Sequence, residues 1–159
     1  MTMADTIAVM QGGRIEQLGS PNELYEQPTT AFVAGFLGVS NLLHGTVSGR
    51  ATVRLERGEE VAVSPAALAG RTGKVAVGIR PEKLRLGRAE ANTFTGRVRE
   101  TAYVGVSTQY IVETTAGAMT VYVQNAEPGS GSIAPGGAVE LSFDPEAAFV
   151  VDHSPEEEH

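Results

Sequence analysis

The chain has 159 residues, 42% of them hydrophobic and 19% charged, which is enough apolar content for a packed core and argues against a disordered chain. It contains no cysteine, so disulfides, thiolate metal sites and cysteine nucleophiles are excluded. The net charge is −7 and only residues 44–92 are net basic, with signs that alternate, so a continuous phosphate-binding surface is not expected.

Taken in chain order, Thr6–Gln11 and Arg14–Leu18 are two short strand-like runs separated by Gly12-Gly13. Paired glycines supply the positive φ angles of a two-residue hairpin turn, so a β-hairpin is expected here. Ser20-Pro21-Asn22-Glu23 then spells a helix start: a capping serine, a proline at the first helical position, and a glutamate able to close a capping box. Pro28 makes that helix brief, because it disfavours helical geometry at Gln27. A second short helix is expected over Thr30–Leu37, where Phe32, Val33, Phe36 and Leu37 form an apolar stripe read as core packing and Gly38 ends the helix.

Beyond Leu43 the pattern becomes β. Short runs at Thr46–Val53, Glu60–Ser64, Lys74–Ile79, Thr95–Tyr103, Thr108–Thr114, Met119–Val123, Val139–Phe143 and Ala148–Val151 alternate with turn residues, which favours a small barrel or sandwich. Gly45-Thr46-Val47 and Gly96-Arg97-Val98 echo each other and mark two related β halves, 44–88 and 93–152. Gly129-Ser130-Gly131-Ser132 reads as a loop and residues 153–159 as an acidic, flexible tail.

Few motifs carry chemistry. His44, His153 and His159 lack the spacing of a helical metal site, so no metal is expected. No serine sits in a nucleophile elbow. Gly70-Arg71-Thr72-Gly73-Lys74 imitates a phosphate loop, but Leu68 and Val75 stand where glycine and a hydroxyl residue are required. Arg80-Pro81-Glu82 closes a strand as an ion-paired corner or as part of a partner face. Gly105–Gln109, between Tyr103 and Tyr110, offers hydroxyls, an amide and backbone donors, although a plain hairpin turn accounts for it as well.

A family resemblance organises these observations. Met3–Met10, Gly13–Gly19 and Pro21–Pro28 resemble the stretch of ATP-binding cassette (ABC) importer ATPases that follows their switch histidine. Phe32–Gly38 with Ser40-Asn41 looks like the passage into their C-terminal regulatory domain, and the likeness runs through residues 1–41. The remainder, 42–152, is similar to the TOBE domain, an oligonucleotide/oligosaccharide-binding (OB)-like β-domain. Gly78-Ile79-Arg80-Pro81-Glu82 matches its hallmark. Tyr103-Val104-Gly105, Ser107–Tyr110 and Phe143–Glu146 look like the polyamine and ferric-iron importer version, although Val106 stands where an acidic residue is common.

The resemblance implies a mainly β fold, an OB-like barrel or sandwich preceded by a hairpin and two short helices. It implies a regulatory and dimerisation module of an importer's ATP-binding subunit, of polyamine or ferric-iron type, cytoplasmic and peripheral at the inner face of the membrane. ATP and Mg would bind the parent subunit, and permease subunits would be its membrane partners. The family's Walker A, signature, Walker B and switch-histidine motifs lie upstream in such subunits, so this chain alone is not expected to be an enzyme or to bind a cofactor. Arg80, Glu82, Tyr103, Ser107, Thr108 and Gln109 are the candidate ligand or partner face. Ile7, Val9, Ile15 and Leu18 would lose their cover in isolation, so a homodimer through these residues is expected.

Two rivals remain. Ser40–Val47 faintly resembles the opening of molybdate-binding domains, which gives a free-standing oxyanion module as the alternative. OB folds also bind single strands, but the aromatics here fall mainly in the acidic third, so nucleic acid is not expected as a partner.

Overall fold

The computed structural model describes residues 6–38, 40–124 and 133–152. The chain opens with the antiparallel hairpin β1 (Ile7–Gln11) and β2 (Arg14–Gly19). Gly12 and Gly13 turn it with φ of 59° and 78°, the left-handed geometry expected of a glycine pair. Helix α1 (Pro21–Glu26) starts where Ser20 Oγ accepts from the Glu23 amide, and α2 (Ala31–Leu37) starts where Thr30 Oγ1 accepts from the Val33 amide, each at 3.2 Å. Val9, Leu24 and Val33 close a small core between hairpin and helices, with half-buried Ile7 at its edge.

Residues 41–152 form a β-domain. Its first half runs β3 (Asn41–Val47), β4 (Thr52–Leu55), β5 (Glu60–Ala62), the short helix α3 (Pro65–Leu68), β6 (Lys74–Ile79) and β7 (Arg85–Leu86). Its second half runs β8 (Thr93–Val104), β9 (Ser107–Thr114), β10 (Gly117–Gln124), β11 (Ala138–Ser142) and β12 (Phe149–Asp152). The two five-stranded antiparallel sheets have the orders β5-β4-β3-β6-β12 and β10-β9-β8-β11-β7. These orders superimpose when each strand of one half is matched to its counterpart in the other. Each half gives its last strand to the other half's sheet, so the two halves interlock.

The repeat explains residues that otherwise look incidental. Gly45 and Gly96 occupy equivalent places, and a Cβ on either would collide with a neighbouring strand's carbonyl oxygen, that of Arg54 and Glu113 respectively. Arg80-Pro81-Glu82 and Asp144-Pro145-Glu146 lead into equivalent 3-10 turns. The inward faces of the sheets meet in one core, in which Val75, Val77 and Ile79 of β6 face Phe94, Leu141 and Phe143. The other face of β6 is also covered: Ala76 packs with Phe149 and Val151 of β12 under Ala31 and Ala34 of α2. Gly78 is obligatory there, because a Cβ would overlap the Phe149 ring.

Three expectations change. The run Thr46–Val53 is not one strand; it straddles the corner between β3 and β4, where the Ser48 amide donates to Thr52 O at 3.0 Å. Helix α3, opened by the same Ser-Pro signal as α1, interrupts a region read as β throughout. The Phe32–Phe36 pair is not core: both rings are exposed and lie beside each other, tilted by 31° with centroids 6.3 Å apart. Alanines 31 and 34 face the sheet instead, because small side chains let the helix backbone approach Phe149. The loop 129–132 and the tail 153–159 lie outside the described residues. Among the described residues no helix is long and apolar enough to cross a membrane.

Candidate functional site

The most constrained polar group is Arg80, at the end of β6. The residue is extended (φ −66°, ψ 142°) and Pro81 fixes the turn that follows. Its side chain therefore runs beneath the N-terminal unit, and only 2% of the residue is exposed. Nη1 donates to Ala34 O at 3.0 Å, Gly38 O at 3.2 Å and Ser40 Oγ at 2.7 Å, and Nη2 donates to Tyr25 O at 3.0 Å. The guanidinium lies 4.2 Å from the centre of the Tyr25 ring and 5.4 Å from that of Phe149. One cation of the β-domain thus holds carbonyls of α1, of α2 and of the segment beyond α2.

The neighbouring turn completes the grip. Tyr25 donates its hydroxyl to Glu82 Oε1, and Lys83 Nζ lies 3.8 Å from the Glu26 carboxylate. Burial, followed by the hydrogen bond and the charge of Glu82, pushes the Tyr25 hydroxyl up to about 12. Burial also lowers the Arg80 pKa, yet a guanidinium stays protonated in proteins. The arrangement is suited to mechanical attachment, with a planar donor fork clamped between two rings and aimed at fixed carbonyls.

Two asparagines pin the sheets in the same way in each half. Asn41 Nδ2 donates to Ile79 O (3.2 Å) and Thr120 O (2.8 Å), and its Oδ1 accepts from the Thr120 amide at 2.8 Å. Asn92 Nδ2 donates to Phe143 O (3.3 Å) and Ala62 O (2.8 Å), and its Oδ1 accepts from the Ala62 amide at 2.7 Å. Each side chain therefore acts as an extra strand residue on the last meander strand of the opposite sheet. The signal is present in the sequence as Asn41-x-x-x-Gly45-x-Val47 and Asn92-x-x-x-Gly96-x-Val98, an asparagine four residues before each of the echoed Gly-x-Val runs.

The candidate face does not assemble as one surface. Arg80, expected as an ion-paired corner or as part of a partner face, is interior, and its guanidinium holds carbonyls of the N-terminal unit and Ser40 Oγ. Glu82 is exposed but holds Tyr25. Tyr103, Ser107, Thr108 and Gln109 belong to the β8–β9 hairpin in the other sheet, where Tyr103 pairs with Thr108 across a two-residue turn at Gly105-Val106. Tyr103 is 69% exposed, whereas Thr108 points inward and is buried. Among the expected dimer contacts Val9 is also corrected: Leu24 and Val33 already cover it. Ile15 and Leu18 are exposed and, with Met10, line the outer side of the hairpin. Among the described residues no group of three or more His, Asp or Glu side chains is placed to hold a metal ion.

The family profile of the TOBE domain matches residues 77–151, the span that holds Arg80, its corner and the matching corner at Asp144. Over those residues the chain belongs to the TOBE family. Nearly the whole chain is related to ABC importer ATP-binding proteins. It is 41% identical to the spermidine/putrescine import ATP-binding protein of Thermobifida fusca, over 95% of this chain and 41% of that protein. It is 39% identical to that of Rubrobacter xylanophilus, over 91% of this chain and 40% of that protein. With the Fe(3+) ions import ATP-binding protein of Rhizobium meliloti it shares 35% identity, over 76% of this chain and 35% of that protein. The chain thus spans about two fifths of the length of the polyamine relatives. Among solved structures, the molybdate-binding protein ModG shares the fold of the TOBE domain, with a TM-score of 0.58, 18% identity, and coverage of 69% of this chain and 94% of that one.

Proposed function

We propose that this chain is the regulatory portion of the ATP-binding subunit of an ABC importer for polyamines. ATP and Mg would be bound and used by the remainder of such a subunit, which would sit at the cytoplasmic face against its permease partners. Polyamine rather than ferric-iron transport is favoured by the names of the more similar relatives. In this reading residues 1–41 end the ATPase portion and the TOBE domain is anchored to them. The observation that carries it is the Arg80 grip, through which the TOBE domain holds Tyr25, Ala34 and Gly38. A domain attached in this way moves with the ATPase portion and is able to report on it.

The homodimer belongs to the same proposal, with Met10, Ile15 and Leu18 as contacts on the exposed side of the hairpin. Light scattering of the isolated chain should give twice the monomer mass, and Ile15→Asp with Leu18→Lys should return it to a monomer. A wild-type monomer at high concentration would refute that part.

The function itself is tested by a chimera. The matching residues of the Thermobifida fusca subunit are replaced with this chain, and the subunit is reconstituted with its permease in vesicles. ATP-driven uptake of labelled spermidine or putrescine is expected. Loss of uptake from a folded, ATP-hydrolysing chimera would refute the reading. Tight binding of molybdate by the isolated chain would favour the oxyanion alternative that the ModG fold raises.

A further inference from the structure

Strand β12 belongs to the second half of the β-domain but forms an edge of the first half's sheet, where it pairs with β6. Its residues look two ways. Val150 enters the core between the sheets, whereas Phe149 and Val151 pack with Ala76 under Ala31 and Ala34 of α2. The Phe149 ring also lies 5.4 Å from the Arg80 guanidinium, which has the Tyr25 ring at 4.2 Å. The repeat between the halves shows that the sheet itself does not require this ring. Phe149 pairs with Gly78 in one sheet, and at the matching place in the other the exposed Arg85 pairs with Ser142. Gly78 leaves room for the ring, because a Cβ there would lie 2.1 Å from two of its carbons. The sequence thus departs from its own repeat where the N-terminal unit docks, with a glycine and a phenylalanine that fit each other.

We propose that β12 is a strap by which the second half of the β-domain holds the N-terminal unit in place, with Phe149 as the positioning residue of the Arg80 grip. The strap is anchored upstream, where Phe143 stacks on Phe94 in the core with centroids 6.2 Å apart. Between Phe143 and Phe149 runs the 3-10 turn at Pro145–Ala147, tied to the first half by the Ser64 amide, which donates to Pro145 O at 3.2 Å. At the far end Asp152 Oδ1 meets Arg71 Nε at 3.1 Å, a partly solvated pair of small worth. That weak end and the edge position make β12 the part of its sheet that opens first. When it lifts, the guanidinium loses one of its two rings and α2 loses the surface beneath it, so the N-terminal unit is released while β8, β9 and β10 stay paired.

The test is hydrogen exchange of the full chain, read by mass spectrometry in α1, α2, β6 and β9. Phe149→Leu keeps β12 apolar but removes the ring. Amides of α1 and α2 should then exchange roughly tenfold faster, as one desolvated cation–π contact is lost, while β9 keeps its protection. Gly78→Ala, which drives the ring from its place, should do the same and also loosen β6. The double variant Gly78→Ala/Phe149→Ala separates packing from positioning. Its added methyl fits the space the ring has left, so β6 should recover its protection, while α1 and α2 stay fast because Arg80 still lacks the ring. Recovery of α1 and α2 together with β6 would reduce Phe149 to packing and overturn the strap. Unchanged α1 and α2 in Phe149→Leu, or a loss shared equally by β9, would overturn it too. The strap is a property of the chain itself, so its failure would leave the chimera's uptake untouched.

Discussion

Replacing Arg80 with methionine keeps an unbranched side chain in place but deletes the guanidinium. Four acceptors then lose their donor: Tyr25 O, Ala34 O, Gly38 O and Ser40 Oγ. A hydrogen bond to a charged group contributes about 1.5–3 kcal/mol, but bonds in one network do not add, and some of the freed carbonyls will reach water. The stacking on Tyr25 contributes about 1 kcal/mol more. Leaving a buried acceptor unpaired costs about 1–3 kcal/mol, and with the non-additivity of one network a total of about 3–5 kcal/mol is expected here. The loss should be local, because the core between the sheets does not contain Arg80. Urea unfolding followed by hydrogen exchange separates the two regions. Amides of α1 and α2 should exchange roughly a hundredfold to several thousandfold faster in the variant, while those of β9 keep their wild-type protection. Arg80→Lys should recover only part of the loss, since an ammonium cannot span acceptors set out for a planar fork. A loss below about 1 kcal/mol, or one shared equally by β9, would refute the reasoning.

Two further outcomes follow from the same geometry. Asn41→Ala and Asn92→Ala should each cost about 1–3 kcal/mol in urea unfolding for the backbone groups left unpaired, and Asn92→Ala about 1 kcal/mol more because Asn92 has φ of 55°, where alanine is strained; no cost at either site would break the equivalence. The Tyr25 hydroxyl is held well above its ordinary value near 10, so its contribution to stability is complete below pH 10 and is lost as pH rises toward about 12. The urea midpoint of Tyr25→Phe should therefore fall less steeply over that window than that of the wild type, and parallel curves would contradict the assignment.

Local signals were legible wherever one residue type admits one geometry. Gly12-Gly13 demanded a left-handed turn, and Ser20-Pro21 demanded a helix start. Periodicity points to the amphipathic α2 and to Val33 as core, but not to the exposure of Phe32 and Phe36. Phe32 and Phe36 are the largest side chains of that helix, yet it is Ala31 and Ala34 that pack on the sheet beneath it, against Phe149, more than a hundred residues away. Arg80 is legible by its place before Pro81, whereas its burial is not, because three of its four acceptors are backbone carbonyls that leave no trace in the sequence. Asn41 and Asn92 read singly as turn residues, and only the repeat between the halves reveals their common work. Thr46–Val53 shows the converse limit: β-type side chains continue through a corner whose position is set by the partner strand.

The central claim is that the TOBE domain acts on transport through its attachment at Arg80, and the chimeric importer tests it directly. Spermidine taken up per ATP hydrolysed is measured with Arg80 intact and with Arg80→Met. The attachment predicts that ATP hydrolysis persists in the variant while uptake per ATP falls. An unchanged ratio, in a variant whose α1 and α2 amides have lost their protection, would contradict it.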